Sequence, residues 1–462
     1  MSRIVEVRGI CIGEGQPKIC IPIVARNIEE VKKQAKSAMF TPADIIEWRL
    51  DHLMNVTNTD YVLMALRKLR EQIEEKPVLV TFRNCKEGGN CEITAEQYMA
   101  IYSAIIKSGM ADIMDIEFFL GEHITAPLMQ IAKEHGVKVI LSNHDFKRTP
   151  PVEEMFARLN AMKEAGADIA KIAVMPHNSG DVLKIFTVAE QMKHIEDPIP
   201  VVTVSMSAAG TISRIAGEIF GSAITFASAG KNSAPGQIDA DELDRVMSML
   251  HNELVDEVYF AEKGAAHVSD LDTAKEIADM EAAALEGSSN EDKKKNVILV
   301  GFMGTGKTTI AKLLAKKTGL EIKEMDDMIE EAAGMRITEI FDQFGEDYFR
   351  DMETEQTKVV SESEGVIVSC GGGTVMRSKN VEYLKSTGKI ILLRATPDTI
   401  LERVKKGGNK RPLLNKYMSR GYISTLMKKR RDVYLSVADY VIDVDNKSSE
   451  IISEMIIDIM GL

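Results

Sequence analysis

Residues 76–118 read KPVLVTFRNCKEGGNCEITAEQYMAIYSAIIKSGMADIMDIEF. A short apolar strand, KPVLVTFR, runs into a polar, glycine-containing loop. A segment with helical spacing, TAEQYMAIYSAIIKSG, follows and stops at a glycine. An Ala-Asp pair then opens the next strand, ADIMDIEF. The same unit repeats on both sides. Further strands are KICIPIVA, ADIIEWRLD, KVILSNHDF, ADIAKIAVM, PVVTVSM and SAITFAS, and helical segments such as TDYVLMALRKLREQI and PVEEMFARLNAMKEAG lie between them. Eight strand–helix units from residue 18 to about 253 predict a (β/α)8 barrel, also called a TIM barrel. An open doubly wound sheet is the alternative. It usually carries a Gly-rich nucleotide loop after its first strand, and IVARNIEE is not one. EVRGICIGEGQP, ahead of the repeat, reads as a hairpin that closes the barrel floor.

The chain continues well past this repeat. Its 462 residues imply two or more domains. From 254 to 295 the sequence turns helical and acidic, VSDLDTAKEIADMEAAALE, and then polar, GSSNEDKKK. This reads as an inter-domain connection. At 296 a buried-type strand, NVILVGF, runs straight into a glycine-rich loop and starts a second α/β pattern over 296–462. That pattern predicts a parallel-sheet P-loop domain of the nucleoside-monophosphate-kinase type.

Composition narrows the function. A net charge of -13 argues against nucleic acid, which needs clustered Lys and Arg. Cys11, Cys20, Cys85, Cys91 and Cys370 are scattered, with no zinc-site spacing. An odd, scattered set fits reduced thiols in a cytoplasm. The start lacks the apolar stretch of a signal peptide, and no run is long enough to span a bilayer. Small-molecule substrates are expected, with no membrane partner. Any self-association is expected to be a homodimer through the barrel.

Barrel chemistry gathers where strands end. Those ends are polar here: Glu47 and Arg49, Arg83, His144, then Arg214, Ser233 and Gln237. Lys171 interrupts an apolar run, and alternation puts Ile169, Lys171, Ala173 and Met175 on one face. If that face is the interior, the amine is desolvated, its pKa falls, and it can form a Schiff base with a ketone. A snorkelling lysine is the other reading. His144 suits general acid/base work or a structural hydrogen bond. The three arginines point to a carboxylated carbonyl substrate.

IIEWRLDH, TFRNCKEGGN, SNHDF, KIAVMP, SMSAAGTISRIAGEIFGS and SAPGQI together resemble the type I 3-dehydroquinate dehydratase family over about 1–253. The resemblance implies that Lys171 is the Schiff-base lysine, His144 the proton-transfer residue and Glu87 its acidic partner. It implies Glu47, Arg49, Arg83, Arg214, Ser233 and Gln237 as the substrate-binding set, and no cofactor. An aldolase-like lyase is the alternative chemistry.

In the second half, GFMGTGKTT at 301–309 matches a nucleotide-binding P-loop after a strand. Its backbone amides would cradle phosphates, Lys307 would neutralise them, and Thr308 would contact Mg²⁺. Carboxylates at Glu324, Asp326 and Asp327 follow the first helix, Gly371–Gly373 follow a strand, and Lys410-Arg411 sit in a lid-like loop. With MDDMIEE, GEDYFRDMETE, SCGGG, RPLL and RRDVYLSVAD, the set resembles shikimate kinase over about 296–462. The resemblance implies ATP and Mg²⁺, with Gly304, Thr305, Gly306, Lys307, Thr308, Thr309 and Arg411 for the nucleotide. Asp326 would receive or orient the acceptor hydroxyl. Arg350, Gly372, Gly373 and Arg430 would hold shikimate. One position departs: the family usually shows Asp-x-Asp, and Glu324 stands first here, beside Thr308 as the other metal contact. A gluconate-type small-molecule kinase is the alternative. The two implied reactions are not consecutive, because a reductase must convert dehydroshikimate to shikimate between them.

Overall fold

The computed structural model describes residues 3–230, 236–263, 265–285, 296–407 and 418–462. The chain forms two compact units, Met1–Asn252 and Glu253–Leu462.

The first unit opens with an antiparallel hairpin, β1 (Val5–Val7) and β2 (Ile10–Ile12). Eight parallel strands follow: β3 (Lys18–Ile23), β4 (Ile45–Arg49), β5 (Val78–Thr81), β6 (Ile113–Glu117), β7 (Lys138–Asp145), β8 (Ile169–Val174), β9 (Val201–Ser205) and β10 (Ile224–Phe226). β10 pairs with β3, and a parallel bridge between Val201 and Ser222 closes the cylinder. Helices cover the outside, so most strand residues are buried on both faces and the strands read as continuous apolar runs. In the helix Thr59–Ile73, Val62, Leu66, Leu69 and Ile73 form the buried stripe, and Asn58 caps its start by accepting from the Tyr61 amide.

Inside the barrel the two-residue period sets the chemistry by height. The floor is apolar: Val5, Val7 and Ile12 of the hairpin pack with Ile45, Leu79, Ile113, Ile140 and Ile169. The hairpin therefore plugs the bottom, as its sequence suggests. Two residues further along each strand come Glu47, Thr81, Asp115, Ser142 and Lys171, all buried. Two further on come Arg49, Arg83, Glu117, His144 and Ala173. A charged layer thus lies between an apolar floor and the mouth.

The second unit is a six-stranded parallel sheet in the order β11-β16-β15-β12-β14-β13. Its strands are β11 (Ala266–Val268), β12 (Asn296–Val300), β13 (Glu321–Glu324), β14 (Val366–Ser369), β15 (Gly388–Arg394) and β16 (Tyr440–Asp443). The chain leaves β12 toward one edge and returns to its other side at β15, so a crevice forms beyond the carboxyl ends.

β11 lies in the segment that the sequence suggests is a connection. It pairs with β16 from Ala266↔Tyr440 to Val268↔Ile442, and the helix Leu271–Leu285 packs on the terminal helix Ser449–Met460. His267 Nε2 lies 2.8 Å from Asp443, whose carboxylate also takes the Arg394 guanidinium at 2.6 Å. Part of the connection is therefore a sheet edge. Three residues are too few for alternation to mark a strand. Val268 is fully buried. Val268→Asp is expected to destabilise this unit by about 3–5 kcal/mol, the cost of an unpaired buried charge. Thermal inactivation of this unit, with the first unit as internal reference, checks it. An unchanged inactivation midpoint would show that the edge strand contributes nothing.

Candidate active sites

Two residue sets converge, one in each unit. In the barrel, a cavity of about 180 Å³ opens at the carboxyl ends of the strands, and Glu47, Arg49, Arg83, Glu87, His144, Lys171, Arg214 and Gln237 line it. Drug-sized ligands usually occupy roughly 300–1,000 Å³, so this space suits one compact substrate. Eight of the nine sequence-derived residues thus meet in one space. Ser233 lies outside the described residues.

The loop after β5 brings Glu87 under β7. Gly88 within it has φ +81°, and a Cβ there would come within 2.4 Å of the Phe146 ring. Only glycine lets the loop pass this closely. Glu87 Oε2 accepts from the His144 backbone amide at 3.0 Å and lies 3.1 Å from His144 Nδ1, and Oε1 accepts from Asn143 Nδ2 at 3.2 Å. Arg158 donates to Asn143 Oδ1 at 2.7 Å, which fixes the orientation of the side-chain amide.

Burial pushes the Glu87 carboxyl up to about 7, against the pull of Arg83. Burial also drives His144 well below its ordinary value, helped by the Arg83 and Lys171 charges. The imidazole is therefore neutral at pH 7 and able to take a proton.

Lys171 is 4% exposed and donates to Asp115 Oδ2 at 3.0 Å. It sits on the interior face, as alternation requires. Its partner is a carboxylate that sequence reasoning passed over. The signal was present: Asp115 and Glu117 interrupt ADIMDIEF as Lys171 interrupts ADIAKIAVM.

The arginines also turn out differently. Arg83 donates to Asp115 at 2.7 Å, to Ser142 Oγ at 2.9 Å and to Glu117 at 3.2 Å. Burial works against its charge, but Asp115, Glu117 and Glu87 outweigh this and its pKa rises. Arg49 grips Asp51 with two bonds of 2.8 Å. Two of the three arginines thus face carboxylates of the protein itself. Arg214 differs: it donates to the carbonyl oxygens of Gly236 at 2.9 Å and Phe226 at 3.4 Å, and burial lowers its pKa to about 10. Phe146, Val204, Met206 and Phe226 add an apolar wall.

In the second unit, β12 runs through Gly301 into a loop and then the helix Lys307–Thr318. Lys307 Nζ donates back to the carbonyls of Gly301 at 2.8 Å and Phe302 at 3.2 Å. Arg403 donates to the Thr305 carbonyl at 2.8 Å and the Val444 carbonyl at 3.3 Å, bracing the loop from outside. Gly304, Thr305 and Gly306 form the loop, and Thr309 is exposed on the first helical turn. Thr308 Oγ1 donates to Glu324 Oε2 at 3.3 Å. Glu324 Oε1 is buried and has no hydrogen-bond partner among the described residues. Burial raises this carboxyl, with the nearby Ser369 and Thr308 hydroxyls tempering the rise. An orphaned carboxylate oxygen beside a P-loop threonine fits a hard divalent cation.

The 371–373 loop gathers the expected acceptor residues. A Cβ on Gly371 would meet Asp326 Oδ1 at 3.0 Å, and one on Gly372 would lie 3.5 Å from the Met303 amide. Arg430 donates to the Gly372 carbonyl at 2.9 Å, and so does the Tyr434 hydroxyl. Gly373 faces Arg350 so closely that a Cβ would sit 2.2 Å from the guanidinium. Arg350 in turn donates to Glu353 at 2.8 Å and Glu346 at 3.0 Å. Glu353, buried and also held by Thr374 at 2.7 Å, is a further residue that sequence reasoning missed. Its place three residues after Arg350 on one helix face was the available signal. Arg411 lies outside the described residues.

A closed parallel barrel with a buried lysine and a histidine–glutamate pair at its mouth defines a carbonyl-chemistry lyase site, and the second crevice defines a P-loop phosphotransferase site. The chain belongs to the type I 3-dehydroquinase family, whose model matches residues 19–253. The shikimate kinase family model matches residues 303–460, so both families are present in one chain. Over 254 residues, 55% of this chain, it is 44% identical to the whole of 3-dehydroquinate dehydratase from Bacillus licheniformis. A crystal structure of type I 3-dehydroquinate dehydratase from Clostridium difficile, with covalently modified comenic acid, is 45% identical. That match covers 55% of this chain and 100% of the other, with a TM-score of 0.54. Shikimate kinase from Bacteroides thetaiotaomicron is 30% identical over 36% of this chain and 98% of its own, with a TM-score of 0.34. Among the described residues no helix is long and apolar enough to cross a membrane.

Proposed function

We propose that the chain is a bifunctional enzyme of the shikimate pathway. The first unit dehydrates 3-dehydroquinate to 3-dehydroshikimate through a Schiff base. The second phosphorylates shikimate from ATP. The observation that carries the reading is the single buried space shared by Lys171, His144 and Glu87. Lys171 condenses with the substrate ketone, and the iminium acidifies the adjacent C–H. Neutral His144 removes that proton, then returns it to the departing hydroxyl as water leaves. Glu87 orients the imidazole through Nδ1. Arg214, whose charge burial disfavours, gains from an incoming substrate carboxylate. Borohydride reduction in the presence of dehydroquinate should leave a covalent adduct on Lys171, and an unmodified lysine would sink this half of the reading.

In the second unit, Lys307 and the loop amides hold the ATP phosphates, Asp326 orients the acceptor hydroxyl, and Arg350 and Arg430 meet the acceptor carboxylate. Thr308 and Glu324 would hold Mg²⁺, which supplies charge neutralisation between the phosphates. ATP-dependent formation of shikimate phosphate by the purified chain tests this, with gluconate as the competing acceptor. A cytoplasmic location suits five cysteines that are all unpaired.

The carboxyl of Glu87 gives the dehydration a pH signature. Glu87 is ionised above about pH 7 and holds Nδ1–H, leaving Nε2 as the base. Below that pH the carboxyl is protonated and no longer favours this tautomer. Dehydration kcat/KM should therefore fall as pH drops through about 7. In Glu87→Gln the rate should be lower by roughly a hundredfold and that acid limb should vanish. A limb that persists unchanged would assign it to another group.

A further inference from the structure

Asp115 takes no part in the dehydration steps above, yet it is a fully enclosed charge inside the barrel. It sits mid-strand in β6 with no exposed surface. Oδ2 accepts from Lys171 Nζ at 3.0 Å. Oδ1 accepts from Arg83 Nη2 at 2.7 Å and from the Ser142 hydroxyl. Donors on three other strand paths therefore hold both oxygens, and the carboxylate cannot turn away without breaking a buried bond. Across the cavity, the Lys171 nitrogen lies 4.4 Å from the centre of the Phe226 ring. Cys20 from β3, Glu47 from β4 and His144 from β7 face the same region, while β9 adds apolar Val202 and Val204.

The charge on the lysine nitrogen can be followed through the covalent step. An ammonium and a ketone give an iminium and one water. A C–N bond forms and the C–O bond breaks. Two of the three ammonium protons leave with the carbonyl oxygen as water, and the third stays on nitrogen. The nitrogen is therefore cationic at both ends of the step, and it becomes cationic again when hydrolysis releases product. A buried cation without a partner is costly.

We propose that Asp115 is the fixed counter-ion of the Lys171 nitrogen, pairing with the ammonium in the resting enzyme and with the iminium in the covalent intermediates. The inference rests on the dehydratase reading and adds a positioning residue to it. Burial alone would push the Asp115 carboxyl up, but Arg83 and then Lys171 outweigh it and keep it ionised. The geometry and the charge count lead to the same assignment.

The test follows borohydride trapping of Lys171 with dehydroquinate across pH, using the full chain and the neutral variants Asp115→Asn and Asp115→Ser. Without the counter-ion the ammonium gives up its proton more readily. The midpoint of the trapping profile should then move down by roughly one to three pH units. The iminium loses its partner, so kcat should fall roughly ten- to a hundredfold even at the pH of maximal trapping. A packing role alone would lower the amplitude and leave the midpoint in place, so an unmoved midpoint in either folded variant overturns the proposal. Serine keeps a hydroxyl for Arg83 and carries the test if the asparagine form does not fold, as judged by circular dichroism melting. A crystal structure of the reduced wild-type adduct decides without any variant: Asp115 should stay within hydrogen-bond reach of the adduct nitrogen, and a carboxylate turned away overturns the proposal. A wild-type chain that is neither trapped nor active removes the dehydratase reading as well. Trapped wild type with unmoved variants removes only the role of Asp115.

Discussion

Lys171→Ala is expected to lower dehydration of dehydroquinate by about four orders of magnitude or more, as loss of a covalent nucleophile does, and to abolish the borohydride adduct. The size follows from the site. Without the amine there is no iminium, and His144 must take a proton from a carbon that nothing acidifies. The imidazole, neutral and well placed, is too weak a base for that alone. The variant also leaves Asp115 without its partner at 3.0 Å. Arg83 and Ser142 still hold that carboxylate, so the fold is expected to survive. Steady-state dehydration, with intact mass after borohydride, checks both parts. A loss below about a hundredfold would leave room for simple acid–base elimination by His144 and Glu87, and the Schiff base would have to be given up.

Much of this barrel can be read from the chain itself, because period-two strands make height predictable. Ile169, Lys171 and Ala173 all face the interior, with Ile169 in the apolar floor and Ala173 above the charged layer, lining the cavity. What cannot be read is which group a strand residue meets on its neighbour. Lys171 and Asp115 are 56 positions apart, and their contact exists only once β6, β7 and β8 are side by side. The same blindness affected the arginines. Their gathering at one mouth suggested a bound anion, yet Asp51, Asp115 and Glu117 supply negative charge from within. In the second unit, long-range pairing again carries what spacing omits. β11 is recognisable only through its register with β16. Arg403 lies in an ordinary helical stretch, and only the fold brings it to the P-loop carbonyls.

Lys307→Ala should cost the kinase reaction about a thousandfold in kcat, the upper range for removing one preorganised charge from a transition state, with little change in the KM for shikimate. The loop geometry explains the split. Phosphate binding also draws on backbone amides at the start of the helix Lys307–Thr318, which the substitution leaves in place. The acceptor loop at 371–373 is held separately, by Arg430 and Tyr434, with Arg350 close beside Gly373. What goes is the positive charge that meets the oxygens as the phosphoryl group transfers. That ammonium donates to the Gly301 and Phe302 carbonyls, bonds that the phosphates of ATP would replace. The barrel reaction of the same chain serves as the control. Loss of both activities would indicate a folding defect, whereas a kinase loss below tenfold would mean that Lys307 does not meet the transferring phosphoryl group. Full loss in Lys307→Ala beside a turning-over wild type would also show that Glu324, with its longer side chain, serves where the family usually places aspartate.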